Sequence, residues 1–339
     1  MRIPQILMLY GDILEKGLQE ALSDPISADG SSHDAGPLYP TLRYHVGLCD
    51  ERGRPVKALG KMLRPSLLLF TAQELGADME SALPAAIALE LVHNFSLIHD
   101  DIQDHDELRR GRPTVWKLIG VAQAINAGDL MYSIATRKAL LAGADAAGVI
   151  IDAATTMIEG QGLDLAFEDR WINVQSYIDM IDKKTGALVC CAFRAAGIIA
   201  RTEQATIDLL TSLGMALGRA FQIRDDLLGI WGDGDLTGKL QGSDIRRKKK
   251  SFPVALITQE TNEEGKALLE SVYAQERISD DDVARVIALM GSLDVKERGE
   301  AVVEGHLKEA REHLERLPLS KKGKELMDEL IVYLARREK

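Results

Sequence analysis

Three observations predict an all-α chain. Aromatic residues make up only 5% of the 339 while Ala and Leu are abundant, a composition that favours helix over sheet. Apolar residues recur at helical spacing over long stretches, and no stretch of useful length alternates apolar with polar residues. A hydrophobic content of 46% suffices for a large core. No linker, low-complexity block or short-period repeat divides the chain, so residues 1–339 read as one domain. The formal net charge of −11 argues against nucleic acid as a partner, because a phosphate backbone is usually met by a basic face.

Taken in order, residues 3–22 read as a helix stopped at Ser23-Asp24-Pro25, residues 27–40 as a mobile loop rich in Gly, Ser, Asp and Pro, and residues 39–48 as a short helix. Lys61 and Arg64 stand just ahead of a helix opened by Pro65, where two cations and the helix dipole suit an anion. Residues 83–103, 115–141, 144–168, 174–200 and 203–231 read as long Ala- and Leu-rich helices. Gly120, Gly128, Gly160, Gly162, Gly197, Gly214 and Gly218 fall among them, each costing about 1 kcal/mol relative to Ala, and close helix packing around a cavity would explain them. After Ser251-Phe252-Pro253 come shorter, charged amphipathic helices, read as an outer layer. Cys49, Cys190 and Cys191 lack CxxC spacing, and the adjacent pair cannot easily bridge, so reduced thiols in a cytoplasmic protein are expected. The apolar run in MRIPQILMLYGD is too short for a signal segment, and no span reaches the roughly eighteen uncharged apolar residues of a membrane helix.

Two acidic clusters close two of the long helices. In HDDIQDHDELRRGRPT, residues 99–114, helical geometry puts Asp100 and Asp104 one turn apart on one face with Asp101 beside them, so the three acids are expected to share one space. Oxygen donors without a thiol, with His99 and His105 optional, favour a hard cation such as Mg²⁺ bridged to substrate phosphates. Arg109, Arg110 and Arg112 follow as phosphate ligands would. A lone DDxxD is more often a solvated helix end. A second cluster, Asp225 and Asp226 in FQIRDDLLGIWGD, followed by the basic TGKLQGSDIRRKKKS, suggests two jaws of one metal site. Lys184 and Thr185, in DKKTG, interrupt an apolar helix and need partners. Gln222 lies one turn below the second acidic pair, on its face.

With GKMLRP, ELVHNFSLIHDDIQDHDELRRGRPT, DKKTGAL, FQIRDD and GKLQGSDIRRKKKS in this order, the chain resembles the trans-isoprenyl diphosphate synthases, or polyprenyl synthetases, over nearly its whole length. The resemblance implies a helical bundle around a deep central cavity (the isoprenoid synthase fold), usually a homodimer, with the two aspartate motifs facing each other across the mouth. It implies that Asp100 and Asp104 hold two Mg²⁺ ions on an allylic diphosphate with Asp101 in support, and that Asp225 holds a third with Asp226 nearby. Arg109, Lys184, Lys239 and Lys249 would grip that diphosphate. Lys61, Arg64, His93 and Arg110 match the positions that bind isopentenyl diphosphate, and Thr185 and Gln222 those that line a developing carbocation. Phe95 with small Ser96, and only Ile102 and Gln103 between the second and third aspartates, is the pattern that goes with twenty-carbon rather than fifteen-carbon products.

These residue types suit the chemistry on their own terms. Losing a diphosphate from an allylic carbon needs fixed positive charge around the leaving oxygens and a dry, apolar wall around the cation. One position departs from the family pattern: the second motif reads DDLLG, with Gly229 where a carboxylate is usual, leaving water or Asp233 to fill the gap. The departure raises a noncatalytic, regulatory subunit as a rival. A metal-dependent phosphohydrolase is another, from the His99-Asp100 pair, but the second cluster offers it no histidine; a terpene cyclase would not need Lys61, Arg64 and Arg110.

Overall fold

The computed structural model describes residues 3–23, 36–232 and 241–335. The first layer comprises α1 (Gln5–Leu9), α2 (Gly11–Ala21), α3 (Leu38–Val46) and α4 (Leu63–Glu74). The long helix α5 (Met79–Gln103) follows, then α6 (Val115–Ile119), α7 (Val121–Leu140) and α8 (Ala144–Phe167). Next are α9 (Val174–Ile181) and α10 (Ala187–Ile199), joined by a π-helical turn at Asp182–Gly186, and α11 (Gln204–Trp231). The outer layer is α12 (Ser243–Arg246), α13 (Phe252–Glu260), α14 (Glu263–Tyr273), α15 (Asp280–Ser292), α16 (Val295–Arg316) and α17 (Lys321–Ala335).

Helix α10 organises the packing, since it touches α4, α5, α8 and α11 and buries Leu188, Ala192, Phe193 and Ala196. The acid-bearing helices α5 and α11 therefore pack against a common partner. Helix α5 starts at Asp78, whose carboxylate accepts from the Ser81 amide at 2.8 Å, a cap typically worth about 1 kcal/mol. It then buries residues on every side, from Ala82 to Ile98, against α4, α7 and α10. One hydrophobic cluster runs from Ile6 to Leu334, and fully buried side chains such as Leu89 and Phe193 contribute about 1.5–3 kcal/mol each.

Several expected boundaries move for local reasons. Residues 3–22 break at Tyr10, whose hydroxyl donates to Gln73 on α4 at 2.7 Å. Residues 115–141 break at Gly120, which takes φ +82, a conformation no helix accommodates. Residues 24–35, most of the expected loop, lie outside the described residues, and Leu38 is already helical. A two-residue antiparallel ladder, Leu108–Arg109 with Arg112–Pro113, follows the first acidic motif. Of the helix glycines, Gly128, Gly160, Gly197, Gly214 and Gly218 pack closely against other helices, whereas a side chain at Gly120 or Gly162 would meet nothing within 4 Å. The three cysteines are free, buried thiols. Among the described residues, only Met79–Gln103 is long and apolar enough to cross a membrane, and 67% of its apolar window is buried inside the chain. With Glu90 and Asn94 buried in mid-helix it is a core helix.

Candidate functional site

The first motif does not act as three acids in one space. Asp100 lines a cavity with Gln103, Lys184, Thr185 and Gln222, and Asp104 stands one turn further on at the exposed mouth. Asp101 is turned away, as its 100° offset requires: it is 1% exposed and accepts from Arg109 Nε and Nη2, both at 2.8 Å. Burial pushes the Asp100 carboxyl up to about 6, with Lys184 opposing and Asp104 adding to the rise. Among the described residues no three acidic, imidazole or thiol groups form a ready-made metal cage. Two carboxylates on one face nevertheless suit Mg²⁺, which completes its shell with water and substrate phosphate oxygens.

The π-turn at Asp182–Gly186 presents Lys184 and Thr185 to this cavity. π-turns are inserted into helices mostly at functional sites, because the extra residue re-aims the side chains. Lys184 pairs with Asp164 of α8. Burial works against the lysine's charge, but Asp164 and Asp100 outweigh it and raise its pKa. Thr185 Oγ1 donates to Gln222 Oε1 at 2.7 Å, and Gln222 Nε2 donates to Asp226 Oδ1 at 2.9 Å. Asp226 also accepts from the Tyr177 hydroxyl at 2.6 Å and the Phe252 amide at 2.8 Å. It is thus a buried anchor that orients the Gln222 amide, and burial, with Asp244 adding, pushes it up to about 7. Asp225, its neighbour, faces a different cavity.

That second cavity collects the remaining cations: Lys61, Arg64, His93, Arg109 and Arg110 all line it, together with Glu90, Phe221 and Asp225. The hairpin turn Arg110-Gly111 has positive φ at both residues, 53° and 74°, the geometry of a tight two-residue loop, which Gly111 takes freely and Arg110 takes under strain. Burial, with Arg64, Arg110 and Arg109 beside it, holds the His93 imidazole well below its ordinary pKa and hence neutral. Burial raises the Glu90 carboxyl, opposed by Arg64. Arg112 does not join: its guanidinium lies 4.0 Å from the Tyr44 ring centre and donates to the Cys49 carbonyl at 2.7 Å.

The two cavities share Arg64, His93, Leu97 and Phe221 as common wall. Below Asp100 the first runs past Ser96 to Phe95, which is 5% exposed and packs on Tyr132 of α7 with ring centres 4.9 Å apart. Lys249 lies on a smaller lobe with Asp164, Lys184, Gln222 and Asp226. Lys239 and Asp233 lie outside the described residues. Sequence reasoning missed Asp164, Tyr177, Glu90 and the Arg247–Asp106 ion pair that ties the basic segment to the first motif. The signal for Asp164 was present, one acid in the apolar stretch GQGLDLAF beside two glycines.

A cation-lined cavity set against an acid-rimmed one with an apolar floor suits anionic ligands that carry an apolar portion. The chain belongs to the polyprenyl synthetase family, whose pattern matches residues 53–290. It is 40% identical over 262 residues to the (2E,6E)-farnesyl diphosphate synthase of Mycobacterium tuberculosis, covering 75% of this chain and 73% of that one. It is 37% identical over 264 residues to a geranylgeranyl diphosphate synthase of the same organism, with 75% of each chain covered. The crystal structure of a polyprenyl synthetase from Streptomyces coelicolor superposes with a TM-score of 0.86 at 34% identity, over 98% of this chain and 99% of the other. The fold is all-α, and the activity is that of a short-chain trans-prenyltransferase.

Proposed function

We propose that this chain condenses isopentenyl diphosphate with allylic diphosphates to make geranylgeranyl diphosphate, with farnesyl diphosphate as the second reading. The observation supporting the proposal is the shared wall between the cavities, which leaves room for two diphosphate esters side by side. Lys61, Arg64, His93 and Arg110 take isopentenyl diphosphate, and Lys184, Arg109, Lys239 and Lys249 hold the allylic diphosphate. Asp100 and Asp104, and on the other side Asp225, are the carboxylates for three Mg²⁺ ions, which when bound neutralise the leaving diphosphate. The allylic carbon–oxygen bond breaks with its electron pair leaving on the diphosphate. Thr185 Oγ1 and Gln222 Oε1 face the resulting cation without attacking it, and Asp226 keeps the amide oriented. The isopentenyl alkene attacks that cation, and the departed diphosphate accepts the final proton. Incubation with isopentenyl diphosphate, each allylic diphosphate in turn and Mg²⁺, with products read by mass spectrometry, tests the reading; absence of a twenty-carbon product removes the first choice.

Chain length should respond to the floor. Phe95→Ala is expected to lengthen the product, and because Tyr132 remains beneath it, by about one five-carbon unit rather than many. Ser96→Phe is expected to shorten it, and an unchanged spectrum from both variants places the floor elsewhere.

The elevated Asp100 carboxyl sets a pH dependence. Below about 6 that group holds a proton the cation must displace, so Mg²⁺ affinity in the presence of inorganic diphosphate is lost as pH falls through 6. The limit is about tenfold per pH unit for one proton. Calorimetry across pH 5 to 7.5, with the protein-free titration subtracted, reads both affinity and proton release.

We further read residues 1–339 as one domain of a cytoplasmic homodimer, without a nucleic-acid partner. Leu118, Val121, Ile125, Leu140 and Leu141 on α6 and α7, and Ile158 on α8, are each more than two-fifths exposed, an apolar set that a second copy would cover. Sedimentation equilibrium reads the assembly directly.

A further inference from the structure

The run Arg246-Arg247-Lys248-Lys249-Lys250 puts five cations in a row, of which the proposed reaction uses one, Lys249. The fold sorts its neighbours. Arg246 pairs with Asp280 of α15 at 2.7 Å, but that carboxylate is exposed, so the pair contributes little. Arg247 pairs with Asp106, two residues beyond the last aspartate of the first motif and 141 positions away in sequence. Asp106 is itself fixed: its amide donates to the Asp101 carbonyl at 3.0 Å, and its carbonyl accepts from Thr114 Oγ1 and Trp116 Nε1, both at 2.8 Å. Lys250 is held by two aromatic rings. Its ammonium lies 4.5 Å from the Trp171 ring centre and 4.6 Å from that of Tyr273, and the rings are 5.1 Å apart.

These contacts pin one short segment on both sides of Lys249. Helix α12 ends at Arg246, Lys248 takes φ +56, and the Lys249 amide returns to the Asp244 carbonyl at 2.9 Å, which closes a turn. Two residues past Lys250 the Phe252 amide donates to Asp226 Oδ2 at 2.8 Å, where α13 begins. Lys249 is exposed and borders the lobe that also holds Lys184, Gln222 and Asp226. A lysine on a free loop gives up backbone and side-chain freedom when it meets an anion, whereas one on a segment already fixed gives up less. Lys250 borders the same lobe, but burial works against its charge and the two ring faces supply a compensating attraction.

We infer that Arg247 and Lys250 are positioning residues that hold this segment so that Lys249 meets the allylic diphosphate, with Asp106 and the Trp171 and Tyr273 rings acting through them. The inference rests on the function proposed above. It predicts a sign opposite to that of a direct role. Were Arg247 a diphosphate ligand, neutralising Asp106 would free it and also remove a negative charge near the anion, so binding would tighten. A positioning role makes binding weaker.

The test is steady-state kinetics on the full chain with Mg²⁺, varying geranyl diphosphate at saturating isopentenyl diphosphate and then the reverse, with folding read by circular dichroism. Lys249→Ala sets the scale by raising KM for geranyl diphosphate. Asp106→Asn and Tyr273→Leu are each expected to raise that KM about threefold to tenfold, not beyond Lys249→Ala, and to leave KM for isopentenyl diphosphate within about twofold. Added to Lys249→Ala they should raise it by less than about twofold more, because the residue they position is gone. Tyr273→Phe keeps the ring and loses only a hydroxyl that has no hydrogen-bond partner, so it should restore the wild-type KM. An unchanged or lower KM in Asp106→Asn overturns the inference, as do additive effects with Lys249→Ala or equal losses in Tyr273→Phe and Tyr273→Leu. Should Tyr273→Leu fail to fold, Trp171→Leu, at a partly exposed ring, decides in its place. If Lys249→Ala itself leaves KM unchanged, the reading of Lys249 as a diphosphate ligand falls and this inference with it; if Lys249→Ala raises KM and the other variants do not, the inference alone falls.

Discussion

Asp100→Asn is expected to lower turnover by about 10²–10³-fold, ~2.7–4 kcal/mol in the barrier, while leaving the helical fold intact. The substitution keeps the shape and removes one charge. Asp100 lines the cavity beside Lys184, Thr185 and Gln222, and its carboxylate makes no hydrogen bond to the protein among the described residues. Its pKa is raised in the fold, so its ionisation opposes folding: that stability is present at low pH and lost as pH rises through about 6. The neutral variant should therefore melt at or slightly above the wild-type temperature at pH 7. Its charge matters only where negative charge gathers on a leaving diphosphate, so kcat and kcat/KM should fall together. Turnover within threefold of wild type would remove Asp100 from the site.

How far the site was legible in the sequence follows from what each residue depends on. Helix periodicity put Asp100 and Asp104 on one face, and local order set Lys61 and Arg64 at a helix start and Arg110 just after the first acidic motif, whereas His93 was pointed out by the resemblance alone. The places of Asp101 and Asp226 were not legible. The second acid of each pair is turned about 100° into the wall, and which donors wait there, Arg109 in one case and Tyr177, Gln222 and the Phe252 amide in the other, is set by residues between 4 and 49 positions away. Arg112 looked like a phosphate ligand for the same reason, until the Tyr44 ring and the Cys49 carbonyl claimed it. Long helices were legible as apolar periodicity, but the π-turn was not, because one inserted residue barely disturbs that pattern. The packing of the Asp244 carboxylate against Gly229, fifteen residues away, follows only from the docking of α12 on α11.

Gly160→Ala is the second substitution with a large expected effect, and it acts from outside the reacting atoms. A Cβ at 160 would lie 2.3 Å from the Lys184 amide nitrogen, 2.7 Å from the Lys183 carbonyl carbon and 2.7 Å from Lys184 Cα. All three are backbone atoms of the π-turn, so no side chain can swing aside and α8 and the turn must separate by about 1 Å. Alanine ordinarily gains about 1 kcal/mol over glycine in a helix interior, and here overpacking by about 1–3 kcal/mol offsets that gain or exceeds it. Catalysis should suffer more than stability. Lys184 and Thr185 sit on the displaced turn, and a misplacement of about 1 Å in a positioned group costs roughly 10²-fold in rate. The expected result is a folded chain with a modestly lower melting temperature and turnover down about 10²-fold. Gly162→Ala, two residues along the same helix where nothing lies within 4 Å, should keep wild-type turnover. Equal activity in the two variants would mean that the contact between α8 and the π-turn does not set the position of Lys184.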